Sequence, residues 1–313
     1  MNHLLEKISS FINEKKLISP DDKVLVALSG GPDSTALLLI LKKLSIHMGF
    51  HVEAFYFNHC SRTDSGNEQS HVEVFASRHN INLYISSSKK NLKGNGPEDT
   101  WRRDRYNAIQ KVVERNEFDK VATGHNLDDN LETLLIRLGR GMGLEGVKGI
   151  PARRDFFIRP LLRIKKSEIL KYLSENNIEC YKDPSNQNNL IRASLRKSVI
   201  PELKRVWGTY WPKGPSKSLE ILSEENQSLN MISNDLLRIY LNDEGLNREV
   251  LKLPPAVALR VVKNWLYSIG INPPRSALER IMKEGQSKDN VTIEGPPWFK
   301  VQIGKNNILY MGD

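Results

Sequence analysis

Lys23-Val24-Leu25-Val26-Ala27-Leu28-Ser29-Gly30-Gly31-Pro32-Asp33-Ser34-Thr35-Ala36-Leu37-Leu38-Leu39 is the stretch on which the fold turns. Its first six residues are a short apolar run rich in Val and Leu, which predicts a buried strand. From Ser34 to Leu44 the chain is an apolar run of good helix formers. Between the two, adjacent glycines let the backbone approach an anion and turn successive N–H groups toward it, and the start of the helix adds its positive end. Ser29, Gly30, Gly31, Asp33 and Ser34 are therefore candidate nucleotide-binding residues. The bland alternative is an ordinary strand-to-helix turn. Asp33 argues against it, because a carboxylate at an anion site calls for a bridging cation, which makes Asp33 the candidate Mg²⁺ ligand. The loop lacks the Gly-Lys-Ser/Thr ending of a Walker A motif.

The alternation continues on both sides. Leu4, Leu5, Ile8, Phe11, Ile12 and Leu17 predict an amphipathic helix over 3–17. Strands are expected at 51–57, 81–85 and 119–123, and helices at 67–80, 98–117 and 128–138, with a polar loop over 86–97. Strands alternating with helices predict an α/β fold, a doubly wound parallel sheet of the nucleotide-binding kind with helices on both faces. Ligands of such sheets sit at the carboxyl ends of the strands, where 29–34, 58–62 and 124–132 all fall. A composition shift over 207–215 predicts a linker. It divides a catalytic domain, 1–212, from a smaller domain, 213–313, that is mainly helical (216–241, 255–268, 275–284) with a short β tail over 291–311. No internal repeat is visible.

A length of 313 residues fits about two domains, and 39% apolar residues suffice for a core. The net charge of +9 fits a polyanionic partner such as nucleic acid, though a basic protein with no such partner would have the same composition. Arg153, Arg154, Arg159, Arg163, Lys165 and Lys166 lie close together, as do Arg192, Arg196, Lys197, Lys204 and Arg205. With Trp207, Tyr210 and Trp211 nearby, the reading is an RNA surface with stacking platforms, or plain surface charge and core aromatics. The two cysteines, Cys60 and Cys180, form no CxxC pair. That argues against a zinc site, an iron–sulfur cluster or a disulfide framework, and fits a reducing, cytoplasmic setting. No signal peptide or membrane span is expected.

Asp129 and Glu132 are three apart and share a helix face, with Asp128 beside them. At the ligand edge of a sheet such a cluster suits Mg²⁺ or a substrate ammonium; the alternative is a solvated acidic first turn favoured by the helix dipole. His125 has three open readings: general base, nucleotide contact or structural histidine. Arg102 and Arg105, also three apart, form a candidate phosphate fork. Gly141-Met142-Gly143-Leu144-Glu145-Gly146 fits G-x-G-x-x-G but follows a helix, so it is read as a flexible loop and not as a dinucleotide site.

The 29–34 loop resembles that of the N-type ATP pyrophosphatases, the PP-loop enzymes. Further blocks resemble one family among them, the tRNA(Ile)-lysidine synthases: Asn58-His59-Cys60-Ser61-Arg62, Glu98-Asp99-Thr100-Trp101-Arg102-Arg103-Asp104-Arg105-Tyr106, Thr123-Gly124-His125-Asn126-Leu127-Asp128-Asp129-Asn130-Leu131-Glu132-Thr133, Arg137-Leu138-Gly139-Arg140-Gly141, Arg159-Pro160-Leu161-Leu162, Asp183-Pro184-Ser185-Asn186 and Arg192-Ala193-Ser194-Leu195-Arg196. The likeness is close over about 20–205 and loose beyond. It implies an ATP- and Mg²⁺-dependent ligase that forms a carbon–nitrogen bond, joining free L-lysine to a cytidine of tRNA(Ile) with a CAU anticodon by way of an adenylated base. It implies catalytic roles for Asp33, His125, Asp129, Glu132 and Arg105. Nucleotide contacts are implied for Asn58, His59, Arg62 and Gly124 besides the loop. Substrate contacts are implied for Asp129, Glu132, Arg102, Arg192 and Arg196, the acidic pair holding the lysine. Ala193 departs from the family's usual Asn, and a shorter C-terminal region than that of long members is implied. A tRNA thiolase, a small-molecule amidating synthetase of the same fold and a non-catalytic RNA-binding module are the rival readings. The sequence leaves the oligomeric state open, a homodimer included.

Overall fold

The computed structural model describes residues 3–58, 60, 65–88, 98–181, 190–295 and 299–312. His59, Arg62 and the 183–186 block lie outside them. The chain divides into two compact units, 1–219 and 220–313.

In the first unit α1 (His3–Glu14) precedes the expected strand β1 (Lys23–Ala27) and helix α2 (Pro32–Met48). Then follow β2 (His51–Asn58), α3 (Ser65–Arg78), β3 (Leu83–Ser87), α4 (Glu98–Asn116), β4 (Lys120–Ala122) and α5 (Leu127–Gly139). The expected elements are present with ends shifted by a few residues. A hairpin that periodicity does not show, β5 (Arg153–Arg154) and β6 (Phe157–Ile158), follows a 3₁₀ turn at Leu144–Lys148. It extends the sheet to the order β3-β2-β1-β4-β6-β5, parallel throughout except for β5. Helix α6 (Lys166–Glu175) comes next, then α7 (Leu190–Ser194), a π turn at Leu195–Val199 and α8 (Ile200–Trp207).

Alternation along β1 explains the two layers. Val24 and Val26 enter a core with residues of α1, α2, α3 and α6. Leu25, between them, points to the other face, where Ile109 of α4, Phe55, Phe118, Val121 and Phe157 pack. Both faces of the sheet are covered, which is why β1 reads as a continuous apolar run. The chain leaves β1 toward β2 and β3 and returns on the other side at β4. That reversal of strand order opens a crevice at the carboxyl ends of β1 and β4.

The expected linker over 207–215 is not an extended segment. A short 3₁₀ turn at Gly208–Tyr210 follows α8, and α9 (Lys213–Tyr240) begins almost at once. The Ser216 N–H donates to the Pro212 carbonyl at 3.1 Å, part of the helix start. Trp211 is buried, which removes it as a stacking platform, while Tyr210 remains 77% exposed.

The second unit is helical with antiparallel strands. Strands β7 (Leu241–Asn242) and β8 (Gly245–Asn247) precede helices α10 (Pro255–Ser268) and α11 (Arg275–Ser287), and β9 (Val291–Gly295), β10 (Phe299–Ile303) and β11 (Asn307–Tyr310) close the chain. The sheet order is β7-β8-β11-β10-β9. Val261, Trp265 and Leu266 of α10 and Leu278 and Ile281 of α11 pack with Ile293, Val301 and Ile308. Among the described residues no helix is long and apolar enough to cross a membrane.

Candidate active site

The phosphate loop sits at the end of β1. Gly30 takes φ +72°, a conformation glycine adopts without strain. Gly31 is extended and caps α2, with Pro32 in its first turn. The Ser34 hydroxyl lies 3.0 Å from that of Ser29, accepts the Ser29 N–H at 3.0 Å and donates to the Gly31 carbonyl at 3.1 Å. These bonds fix the loop, and the first N–H groups of α2 have no acceptor within the helix, so they suit an anion.

Gly124, after β4, closes on this loop. A Cβ there would stand 3.0 Å from both the Asp33 carbonyl carbon and the Ser34 nitrogen, so a larger residue would press the two strand ends apart. His125 follows. Its Nδ1 lies 3.0 Å from the Thr123 hydroxyl. Burial, then the positive charges of Arg159, Arg102, Arg105 and Arg192, lower its pKa to about 4. The imidazole is therefore neutral at physiological pH, in a field set by four guanidinium groups.

Helix α5 carries the acidic residues. Asn126 and Asp129 form a capping box: the Asp129 N–H donates to Asn126 Oδ1 at 3.1 Å and the Asn126 N–H to Asp129 Oδ2 at 3.0 Å. The same Asn126 donates from Nδ2 to Asp33 Oδ1 at 3.0 Å, joining helix start and phosphate loop. Burial is the largest influence on Asp129 and raises its pKa, as do the charges of Glu132 and Asp33. Asp128 turns away and accepts the Lys166 N–H at 2.7 Å, which pins the first turn of α6.

Every carboxylate of the crevice has a cation on it. Lys166 Nζ lies 2.7 Å from both oxygens of Asp33. The Glu132 side chain is only 3% exposed. Arg196 donates to it from Nε at 2.6 Å and from an Nη at 3.0 Å, and Arg192 donates at 3.1 Å. Arg196 also reaches Asp129 at 3.4 Å. The two arginines are four residues apart, on α7 and the π turn after it, and so share one face. Ala193 lies between them on α7.

The structure thus brings Ser29, Gly30, Gly31, Asp33, Ser34, Gly124, His125, Asp129, Glu132, Arg192 and Arg196 together, with Arg102 and Arg105 of α4 acting on His125 through their charge. Arg102 also lies over the Tyr106 ring, 5.4 Å from its centroid. Asn58 is buried, accepting the Cys60 N–H at 2.9 Å and donating to Gln69 at 2.9 Å. The 141–149 loop is held rather than loose: Arg137 donates to the carbonyls of Gly146 and Gly149, and Asn130 accepts the Ile150 N–H.

Sequence reasoning missed Lys166 and Asn126 as site residues. Asn126 had a signal, since an Asn three residues before Asp129 at a helix start is the capping-box pattern. Lys166 had none beyond its place in a basic cluster.

The PP-loop domain family matches residues 1–203. The tRNA(Ile)-lysidine synthase of Borreliella afzelii is 31% identical over 98% of this chain and 72% of its own length. That of Borreliella burgdorferi is 37% identical over the same shares. A solved structure of a U34-tRNA thiolase from Methanococcus maripaludis superposes with a TM-score of 0.57 at 20% identity, covering 69% of this chain and 78% of the thiolase, a likeness of fold. The phosphate loop, the acidic helix start and these matches agree, and the chain belongs to the tRNA(Ile)-lysidine synthase family of PP-loop, ATP-utilising enzymes.

Proposed function

We propose that this chain joins free L-lysine to C2 of the wobble cytidine, position 34, of tRNA(Ile) with a CAU anticodon. The observation that carries the reading is the Asn126 bridge at 3.0 Å from Asp33. Through it a phosphate loop is contiguous with a buried acidic site, Asp129 and Glu132, of the charge an amino-acid ammonium needs. In the first step O2 of the cytidine attacks the α-phosphorus of ATP, and the bond to the bridging oxygen breaks as pyrophosphate leaves. N–H groups at the start of α2, with Lys166 beside Asp33, take up the charge that develops on the leaving group. In the second step the neutral ε-amine of lysine attacks C2, AMP departs with the C2 oxygen, and the nitrogen loses a proton. Asp129, whose pKa burial raises, is the proton acceptor we assign. His125, neutral and with a pKa near 4, is a weak base and is assigned to substrate contact instead.

Glu132 is spanned by Arg192 and Arg196, so lysine's ammonium enters by exchange with a guanidinium. Magnesium accepts a single carboxylate when substrate phosphates complete its shell. Asp33 would hold such an ion by exchange with Lys166, which now covers both its oxygens, and the ion would neutralise charge on the pyrophosphate. The second unit, 220–313, is assigned to grip tRNA. A tRNA substrate fits a cytoplasmic setting.

The test mixes protein, ATP, Mg²⁺ and radiolabelled lysine with isoleucine CAU tRNA, with methionine CAU tRNA as control. ATP-dependent label in the isoleucine tRNA alone is expected. Pyrophosphate released with another nucleophile or RNA, and no label, would move the chain to thiolation or small-molecule amidation.

A further inference from the structure

A positively charged concavity, apart from the crevice, lies between α4 and the β5–β6 hairpin. It has a volume of about 310 Å³ and is lined by Arg102, Arg103 and Tyr106 on one side and Arg154, Phe157 and Arg159 on the other. Asp155 is the single carboxylate among the residues that line it, 3.8 Å from Arg154 and 76% exposed. Four guanidinium groups thus face a common space with one solvated counter-charge.

Arg159 makes the cavity more than a basic surface. It is 5% exposed, and one Nη donates to the Pro151 carbonyl at 2.7 Å. Its Nε is buried and, among the described residues, has no hydrogen-bond partner. A buried guanidinium donor left unmade is expensive, and a fold tolerates it where a ligand completes it. Burial first, then the charges of Arg154 and Arg102, pull the Arg159 pKa down against the opposing influence of Tyr106. The rings of Tyr106 and Phe157, 4.8 Å apart, form an apolar wall.

We infer that this cavity binds a phosphate of the RNA backbone, apart from the phosphate loop. All four cations are arginines, whose planar forks match phosphate oxygens in pairs. The strand order β1-β4-β6-β5 puts β4 between the loop's strand and the hairpin, and α4 covers the sheet face opposite α2. A nucleotide on the loop is therefore served by another element. His125, which follows β4, feels the charges of Arg159 and Arg102 together. An RNA that sends one base into the crevice would lay a flanking phosphate here. The inference rests on RNA being the substrate, as proposed above.

The experiment uses the full chain with Arg103→Ala and Arg154→Ala combined. Both side chains are exposed, so folding is expected to survive, as thermal melting would check. Affinity for the anticodon stem-loop of isoleucine CAU tRNA is measured over a salt series without ATP or lysine. At least tenfold weaker binding is expected, and a log–log salt slope less steep by about 0.7 for each phosphate that the variant no longer neutralises. The KM for ATP should stay put. The paired lysine variant, R103K/R154K, should restore the slope but only part of the affinity. Affinity and slope both unchanged would overturn the inference. So would a raised KM for ATP with RNA binding intact, which would give the cavity to a free nucleotide. RNA binding abolished in the alanine variant while wild type fails to attach lysine would sink the proposed reaction and leave this site standing.

Discussion

The acidic crevice and the arginine cavity flank the same histidine and treat charge in opposite ways. In the crevice, Asp33 holds Lys166, Glu132 holds Arg192 and Arg196, and Asp129 shares Arg196. Three carboxylates meet three cations. In the cavity, four guanidinium groups line the same space as one carboxylate, Asp155, which pairs with Arg154. A charged ligand entering the crevice must displace an internal partner, so part of its binding energy goes into exchange and a poor competitor gains nothing. An anion entering the cavity competes only with Asp155, a solvated carboxylate 3.8 Å from Arg154. The first arrangement favours selection of a particular ligand, and the second favours capture of any phosphate chain.

The sharpest way to break the comparison is Asp33→Ala. Pyrophosphate release should fall about a thousandfold, roughly 4 kcal/mol of transition-state stabilisation, while RNA affinity stays within twofold. Near-wild-type release would remove Asp33 from the chemistry. Glu132→Ala should come next, as a loss of stability. Removing one partner of a buried pair costs about 3–5 kcal/mol. Arg192 and Arg196 are 32% and 47% exposed, so solvent takes up part of the orphaned charge and about 2–3 kcal/mol is expected. Glu132→Gln, which keeps an acceptor, should lose roughly half as much by the same reasoning. Arg154→Ala, on the exposed rim of the cavity, should cost under about 0.5 kcal/mol. Equal losses at Glu132 and Arg154 in denaturant melts would erase the contrast between the two regions.

The crevice was more legible in the sequence than the cavity, for a physical reason. The phosphate loop declares itself by local signals, an apolar run, two glycines and a helix start, and Asp129 and Glu132 by helical spacing. Strands alternating with helices along the chain were enough to predict a sheet covered on both faces. Lys166 reaches Asp33 across 133 residues of chain, a pairing that only the packing of α6 against α2 creates. The hairpin that carries Arg154 and Arg159 has strands of two residues, too short for any period to register. Its arginines therefore read only as a basic cluster. The tail strands were readable, while β7 and β8 have the same two- to three-residue problem. Trp211 was ambiguous because an aromatic beside basic residues looks the same in sequence whether it stacks on RNA or fills a core.

Gly124→Ala tests the joint between the loop and the acidic helix. Its φ is not in the left-handed region, so the cost is one of contact. The new methyl would meet the backbone of Asp33 and Ser34 at 3.0 Å, and backbone cannot swing aside as a long side chain can. About 1–3 kcal/mol of overpacking is expected. Pyrophosphate release should fall with it, because the displaced loop carries Asp33. Normal stability and normal release together would show that the two strand ends need not touch.

The smallest effect at neutral pH is expected at His125, between the two regions. Its pKa is about 4 in the fold against 6.5 unperturbed. The unfolded chain therefore takes up the proton first as pH falls. The stability held above pH 6.5 is lost between pH 6.5 and 4, where the folded protein at last protonates. At pH 6 the loss is about 1 kcal/mol, and at pH 5 about 2 kcal/mol. His125→Gln should flatten that part of the stability curve relative to wild type, since glutamine does not titrate. If the wild-type and glutamine curves stay parallel from pH 7 to 5, His125 does not feel the guanidinium groups of the cavity, and the two regions are electrostatically separate. A flattened curve would mean that burial first, with the charges of Arg159 and Arg102 adding to it, keeps the crevice histidine neutral at working pH.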